Sequence, residues 1–464
     1  MSIPTILIVG RPNVGKSTLF NRLTKSHKSI VCDFPGVTRD LIFSHASWIR
    51  SEELCHNYLL VDSGGIFFEK VNENDGVFQK IIEQKVKEAI EVSDIVIFVT
   101  DAKDGVVVYD KIISKYLLPY KQKVFVAVNK SDNELAACDN SNFYQLGFDK
   151  LFFVSATQSI GVNDLLESIF TVLPESKQGL NQLKDDYFAK ISIVGKPNVG
   201  KSSIINALSG EDKAIVSEIP GTTRDSTDHI IKYQSKQYAY IDTAGLRKKS
   251  KIANDIDFYS YVRTLRSICD SNISLLVVTA NEDISEQDKH IANLIEEEGR
   301  SLIIIVNKWD LVEKDSHTFD AFTKYIYRSM PFLYYAPVLF VSAVTKQRLP
   351  GIYELIDMVL TKANRKLTKK ELDTFLMNLK KQSTSPLIAS GRSVIHYIKQ
   401  DTTVGKVVFK FFVNKVSYFN EPLTRYLTKQ LRQVFDFTGS PIKIEYTEVI
   451  KEKRPFNKPK ERKY

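Results

Sequence analysis

Gly195-Lys196-Pro197-Asn198-Val199-Gly200-Lys201-Ser202 follows an apolar run at 191–194 and opens the helical pattern Ser203-Ile204-Ile205-Asn206. The order reads strand, phosphate loop, helix. In the pattern G-x-x-x-x-G-K-[ST], small residues let backbone N–H groups approach phosphates, and the Lys brings charge to the β- and γ-phosphates. The same words stand near the start of the chain as Gly10-Arg11-Pro12-Asn13-Val14-Gly15-Lys16-Ser17, after an apolar run at 6–9. Two loops in matched context predict two nucleotide sites. Gly10, Asn13, Val14, Gly15, Lys16, Ser17 and Thr18 are candidates to line the first. Gly195, Asn198, Val199, Gly200, Lys201, Ser202 and Ser203 are their counterparts in the second.

Further motifs recur in the same order after both loops. Pro35-Gly36-Val37-Thr38-Arg39-Asp40 aligns with Pro220-Gly221-Thr222-Thr223-Arg224-Asp225, which selects Thr38 and Thr223 as switch threonines. With Lys16 and Lys201 these are the catalytic candidates, because a hydroxyl and N–H there can order a loop around Mg²⁺ and the γ-phosphate. An apolar strand ends in Asp62-Ser63-Gly64-Gly65, matched by Asp242-Thr243-Ala244-Gly245. Asp62 and Asp242 would reach Mg²⁺ through water, beside Ser17 and Ser202, while Gly65 and Gly245 offer N–H groups to the γ-phosphate. Asn129-Lys130-Ser131-Asp132 and Asn307-Lys308-Trp309-Asp310 follow two more apolar strands. A carboxylate at Asp132 or Asp310 accepts paired hydrogen bonds from guanine, a donor pair that adenine lacks. Ser155-Ala156 and Ser342-Ala343 then offer backbone to the guanine oxygen. GTP or GDP is the expected ligand at both sites.

The residue after D-x-x-G is Ile66 in one copy and Leu246 in the other, where many GTPases use Gln to orient the attacking water. Neither side chain can hold a water, so positive charge and positioning must come from elsewhere. Asn13 and Asn198 are candidates to ligate a monovalent cation; the competing reading is that they only shape the loop. A rival overall reading, a nucleotide-gated binding module with scarce turnover, draws its support from Ile66 and Leu246.

Strands alternating with helices predict α/β domains with a mostly parallel sheet, helices on both faces and ligand at the carboxyl ends of the strands. Two such P-loop domains are expected at 1–173 and 187–363, joined by a polar linker at 174–186. A small α+β domain follows at 364–450, with a basic, Pro-containing tail at 451–464 expected to be disordered. The chain carries a net charge of +9 over 464 residues. Residues 365–464 hold 22 Lys/Arg against 9 Asp/Glu, a net +13, so the remainder is acidic. Such a distribution suits a module that meets a polyanion, although a solubilising surface produces it too. Cys32, Cys55, Cys138 and Cys269 show neither a C-x-x-C pair nor metal-ligand spacing, which points to reduced thiols. No leader and no apolar run of membrane-spanning length is read, so a cytoplasmic location without a membrane partner is expected.

The paired P-N-V-G-K-S, P-G-x-T-R-D and N-K-x-D motifs, the segment Phe258-Tyr259-Ser260-Tyr261-Val262-Arg263-Thr264-Leu265-Arg266 and the basic terminal domain resemble the bacterial tandem GTPases of the Der, or EngA, family. The resemblance covers essentially the full length. It implies a KH-like C-terminal domain, GTP hydrolysis at both sites, stimulation by K⁺, and association with the large ribosomal subunit during its assembly. A monomer without DNA as a partner is expected. The chain departs from the family at Ser63, at Asn414-Lys415 and at Glu421-Pro422-Leu423. No G-x-x-G loop stands between the helices of the terminal domain, so the usual KH clamp on RNA is not expected.

Overall fold

The computed structural model describes residues 4–24, 42–51, 54–63, 89–91, 93–132, 141–173, 187–210, 215–218, 229–241, 258–313, 317–382, 392–401 and 406–449. The expected linker at 174–186 and tail at 451–464 lie outside the described residues.

The first sheet contains β1 (Thr5–Val9), β2 (Ile42–Ser51), β3 (Leu54–Asp62), β4 (Ile95–Asp101), β5 (Val124–Asn129) and β6 (Leu151–Phe153) in the order β2-β3-β1-β4-β5-β6. All neighbours are parallel except the β2–β3 hairpin. Every residue of β1, β4 and β5 is buried. Strands covered on both faces need continuous apolar runs, and burying each Val, Ile or Leu side chain contributes about 1.5–3 kcal/mol. Because β1 pairs with β3 on one side and β4 on the other, the strand order reverses beside its carboxyl end. That crevice is where an open α/β sheet receives a ligand. The helix Val162–Val172 closes one face through Phe170, which stacks on Trp48 at 5.4 Å and on His56 at 4.5 Å.

The second sheet repeats this plan with β7 (Ala189–Val194), β8 (Ile215–Glu218), β9 (His229–Tyr233), β10 (Lys236–Tyr240), β11 (Ile273–Thr279), β12 (Ser301–Asn307) and β13 (Val338–Phe340). Its order is β13-β12-β11-β7-β10-β9-β8, parallel from β13 to β10 and antiparallel beyond. The β9–β10 turn places Gln234 and Ser235 at positive φ, the twist that a two-residue hairpin requires. These antiparallel edges, β2 in one copy and β8–β9 in the other, were not part of the sequence reading.

The helix Phe258–Asp270 groups with the first sheet rather than the second. Arg266 donates from Nε to Thr5 Oγ1 at 3.0 Å and from Nη2 to Asp94 Oδ2 at 2.5 Å. The sequence division had placed this segment in the second domain. Local pattern cannot reveal where a helix packs.

The third sheet, β14 (Ile395–Asp401), β15 (Val407–Val413) and β16 (Ile442–Glu448), pairs β14 antiparallel and β16 parallel to the central β15. The helices Lys369–Gln382 and Glu421–Val434 supply Phe375, Leu376, Leu423, Leu427 and Leu431 to its core, against Phe409 and Phe411. Asn420 caps the second helix by accepting from the Leu423 N–H at 3.2 Å, and Pro422 sits in its first turn, where no N–H is needed. No described helix is long and apolar enough to cross a membrane.

Candidate nucleotide sites

Each phosphate loop leaves the carboxyl end of the central strand of its sheet and runs into a helix, Lys16–Thr24 or Lys201–Ser209. The backbone of the loop explains its glycines. A Cβ on Gly10 would stand 2.4 Å from the Val99 carbonyl oxygen, and one on Gly195 would stand 2.3 Å from that of Val277. At Gly15 and Gly200 the obstacle is the side-chain amide of Asn129 or Asn307, at 2.3 and 2.2 Å. Gly15 and Gly200 also take φ of +88° and +97°, where a side chain is strained. Asn13 and Asn198 adopt φ of 67° and 64°. Asparagine tolerates that conformation best among residues with side chains, which gives these positions a structural reason alongside the cation reading.

The N-K-x-D asparagines, candidates to line the nucleotide site, tie its backbone together. Asn129 Nδ2 donates to the Val14 carbonyl at 2.9 Å, and its Oδ1 accepts from the Ala156 N–H at 3.0 Å. Asn307 repeats both bonds, to Val199 at 2.9 Å and from Ala343 at 3.1 Å. One buried amide thereby joins the phosphate loop to the S-A-x loop, holding these two parts of the site in register. Leaving either backbone group unpaired would cost about 1–3 kcal/mol. In the first site Lys130 Nζ bonds the Asn13 carbonyl at 2.8 Å and pairs with Asp101 at 2.5 Å. Ser155 Oγ donates to Asp132 Oδ1 at 2.5 Å, aiming that carboxylate, whereas Asp310 in the second site is exposed. Ser155 and Ser342 are fully buried, and their hydroxyls accept from Gln158 and Thr345 N–H groups at 3.2 and 3.1 Å, which shapes the S-A-x turn.

Lys16 Nζ rests on the Arg11 carbonyl at 2.9 Å, and Lys201 Nζ on the Gly195 and Lys196 carbonyls at 2.7 Å each. Both ammonium groups lie inside the loop where phosphate oxygens would replace those carbonyls. Burial lowers the Lys16 pKa, with nearby Asp62 opposing and Arg11 adding to the shift. Burial lowers Lys201 to about 8, with Asp288 opposing. An ammonium held this way gains most from an arriving anion. Ser17 Oγ donates to Asp62 Oδ2 at 3.1 Å, so a hydroxyl and a carboxylate meet beside the phosphate loop. This pair of hard oxygen donors fits Mg²⁺, which prefers few protein ligands together with water and phosphate oxygens. Ser202 is the second residue of the equivalent helix, and Thr18 and Ser203 stand exposed on the first turns of their respective helices. Thr38, Gly65, Thr223, Asp242 and Gly245 lie outside the described residues, as do Ile66 and Leu246.

The sequence reading missed the second residue of each loop. Arg11 pairs with Asp104 at 2.6 Å and with buried Asp110 at 3.6 Å; Lys196 pairs with Glu282 at 2.8 Å and with buried Asp288 at 3.8 Å. Asp110 and Asp288 also accept from the Val107 and Ser285 N–H groups at the head of the next helix. Burial raises the Asp110 pKa, opposed by Val107 and Arg11. For Lys196 the burial effect is outweighed by Glu282 and Asp288, so its pKa is raised. The signal was present in the sequence: acidic residues six apart, Asp104 with Asp110 and Glu282 with Asp288, recur behind both loops.

Residues 5–130 and 190–308 match the family described as 50S ribosome-binding GTPase. Residues 366–447 match the KH-domain-like family of EngA bacterial GTPase enzymes, C-terminal. GTPase Der of Heliobacterium modesticaldum is 39% identical over 453 residues, covering 98% of this chain and all of that protein. GTPase Der of Lachnospira eligens is 41% identical over 445 residues, covering 96% and 98%. With two phosphate-loop sheets, a KH-like third domain and relatives matched from end to end, the chain belongs to the Der (EngA) family of tandem GTPases, which act on the large ribosomal subunit during its biogenesis.

Proposed function

We propose that both sites cycle between GTP and GDP, and that the chain binds the large ribosomal subunit in its GTP form and leaves after hydrolysis. The observation that carries this reading is the twice-repeated amide tie at Asn129 and Asn307, which keeps the phosphate end and the base end of each crevice at fixed spacing. Ser17, Thr38 and Asp62 would hold Mg²⁺ at the first site, and Ser202, Thr223 and Asp242 at the second. The ion supplies charge neutralisation to the phosphates. Lys16 and Lys201 stabilise negative charge on the β- and γ-phosphates, Gly65 and Gly245 donate backbone N–H groups, and Asp132 and Asp310 select guanine. Such catalysis rests on positioning and charge. Asn13 and Asn198 hold K⁺ beside the phosphates, in place of the missing Gln.

The working division in chain order is 1–173, 174–186, 187–363, 364–450 and 451–464, with the helix Phe258–Asp270 lent to the first domain, and the protein acts as a cytoplasmic monomer. Co-sedimentation with large subunits, without nucleotide, with GDP and with a non-hydrolysable GTP analogue across a salt series, tests the reading. Binding confined to the analogue is the expected result; equal, wholly salt-sensitive binding in all three states would sink it. Turnover with K⁺ against Na⁺ in Asn13→Ala and Asn198→Ala separates a working GTPase from a slow nucleotide-gated module.

A further inference from the structure

Six residues after each phosphate-loop lysine the two copies differ, with Arg22 in the first helix and Ala207 in the second. A basic residue in the last turn of a helix needs no special reason, since it complements the dipole and the last carbonyls. Arg22 reaches past its own helix. Its Nε donates to the Ala156 carbonyl at 2.9 Å and its Nη2 to the Thr157 carbonyl, 134 and 135 residues further along the chain. Both carbonyls belong to the S-A-x turn, so the planar fork of the guanidinium grips two successive peptide groups. That turn is what completes Ser155. A serine hydroxyl has one hydrogen to give and two lone pairs to fill. The hydrogen goes to Asp132 Oδ1 at 2.5 Å, while the lone pairs face the Gln158 N–H at 3.2 Å and the Thr157 hydroxyl at 3.1 Å. Thr157 and Gln158 flank the carbonyl that Arg22 holds, so the guanidinium and the carboxylate sit at opposite ends of one hydrogen-bond chain. The second site lacks this chain. Val344 replaces Thr157, Ser342 Oγ accepts from the Thr345 N–H at 3.1 Å, and Lys346 Nζ approaches the Gly210 carbonyl at the end of the helix only at 3.5 Å. Among the described residues no hydrogen bond joins Ser342 to Asp310, which is exposed.

We propose that Arg22 is a positioning residue for base selection at the first site: by fixing the turn at 156–158 it leaves the Ser155 hydrogen one direction, toward Asp132, and so presents that carboxylate to the N1–H and N2 amino group of guanine. A carboxylate discriminates through a paired set of hydrogen bonds only as well as its orientation is fixed, because the penalty for a missing donor is an acceptor left unpaired in that direction. The first site therefore rejects bases without the amino group more sharply than the second. This inference rests on the reading of Asp132 and Asp310 as guanine selectors and adds the group that aims one of them.

Inosine diphosphate, which keeps N1–H and the O6 oxygen but lacks the amino group, is the probe. The full chain is titrated with GDP and with inosine diphosphate, with Lys201→Ala silencing the second site or Lys16→Ala the first. The ratio of the two affinities is expected to be larger at the first site. Arg22→Ala should reduce the first-site ratio about tenfold, through weaker GDP binding with inosine diphosphate little changed. Arg22→Lys, which brings one point donor to two carbonyls, should reduce it about threefold, and it answers the question alone should Arg22→Ala fail to fold. In a Ser155→Ala background Arg22→Ala should change the ratio no further, since both act through the same hydroxyl. An equal loss for both nucleotides, as a brace of the fold alone would give, overturns the proposal. So does an unchanged ratio in the Arg22 variants, or an undiminished effect of Arg22→Ala beside Ser155→Ala. Asp132→Asn tests the underlying reading separately: if it leaves the preference for GDP intact, guanine selection by Asp132 fails, whatever Arg22 does.

Discussion

The two phosphate-loop sites of this chain share one backbone and differ in what braces it. Gly10 and Gly195, Gly15 and Gly200, Asn129 and Asn307 make the same approaches to within about 0.1 Å. The side chains around them diverge. Lys130 is fixed by Asp101, whose place in the second sheet is taken by Thr279. Between Lys and Asp, the first site has Ser131, bonded to the Val128 carbonyl at 3.0 Å, and the second has Trp309, buried against Phe340 and Phe322. Contacts made by backbone and by the tying amide leave no latitude, since a change of a few tenths of an ångström breaks them. The braces need only deliver rigidity, and an ion pair or an aromatic cluster does so equally well. At the N-K-x-D segment the first site is held by charge and the second by packing, while both phosphate loops keep the ion pairs of Arg11 and Lys196.

Trp309→Ala is the sharpest way to break that contrast. It should cost about 3–5 kcal/mol in the unfolding of the second GTPase domain, against about 1 kcal/mol for Ser131→Ala in the first, read by denaturant titration with nucleotide-occupancy probes. Equal losses would remove the distinction between packing and charge. Asn129→Ala and Asn307→Ala should instead behave alike. Each strands a carbonyl and an N–H, lowering guanine-nucleotide affinity at its own site by about 1–3 kcal/mol, or roughly tenfold to a hundredfold, in equilibrium dialysis. Unequal effects would mean that the shared tie carries different weight in the two copies. Lys130→Ala should weaken the first site about tenfold and Lys308→Ala the second by less, because only Lys130 faces a carboxylate on the preceding strand. Raising the salt concentration should narrow that gap.

The smallest effect concerns pH. A phosphate loop needs its Lys charged, and burial has brought Lys201 to about 8 before nucleotide arrives. Above that value binding must first restore the proton, so second-site affinity should fall with rising pH, by about threefold between pH 7.5 and 8.5. The direction follows from a pKa lowered in the free protein and raised again by the triphosphate. Burial lowers Lys16 too, with Asp62 opposing, so first-site affinity should fall in the same direction. Binding isotherms in single-site variants check this, and an affinity that rises with pH at either site would contradict it.

The site was more legible than the fold around it. Lys16, Lys201, Asp132 and Asp310 could be assigned roles because phosphate and guanine demand particular donors and acceptors at fixed chain positions, and those demands are written locally. The helices and parallel strands were legible from apolar runs such as 95–101 and 301–307. The antiparallel edges were not: β2 and β8–β9 alternate weakly, and pairing direction depends on where the chain returns. The bonds of Asn129 and Asn307 were not legible for a related reason, since the pattern locates the residue near the nucleotide but not the carbonyl it bonds.

What the sequence determined by itself is the chemistry: two guanine-nucleotide sites in tandem and a basic module behind them, because ligand recognition is imposed by residue type and spacing. What only the tertiary structure decided is how that chemistry is held. Arg11 and Lys196 anchor on helix-capping carboxylates far along the chain, Arg266 joins the sheet of the first GTPase domain, and Arg22 grips a turn 134 residues further on. Each of those outcomes depends on contacts between residues distant in sequence, where register and packing, rather than local pattern, set the geometry.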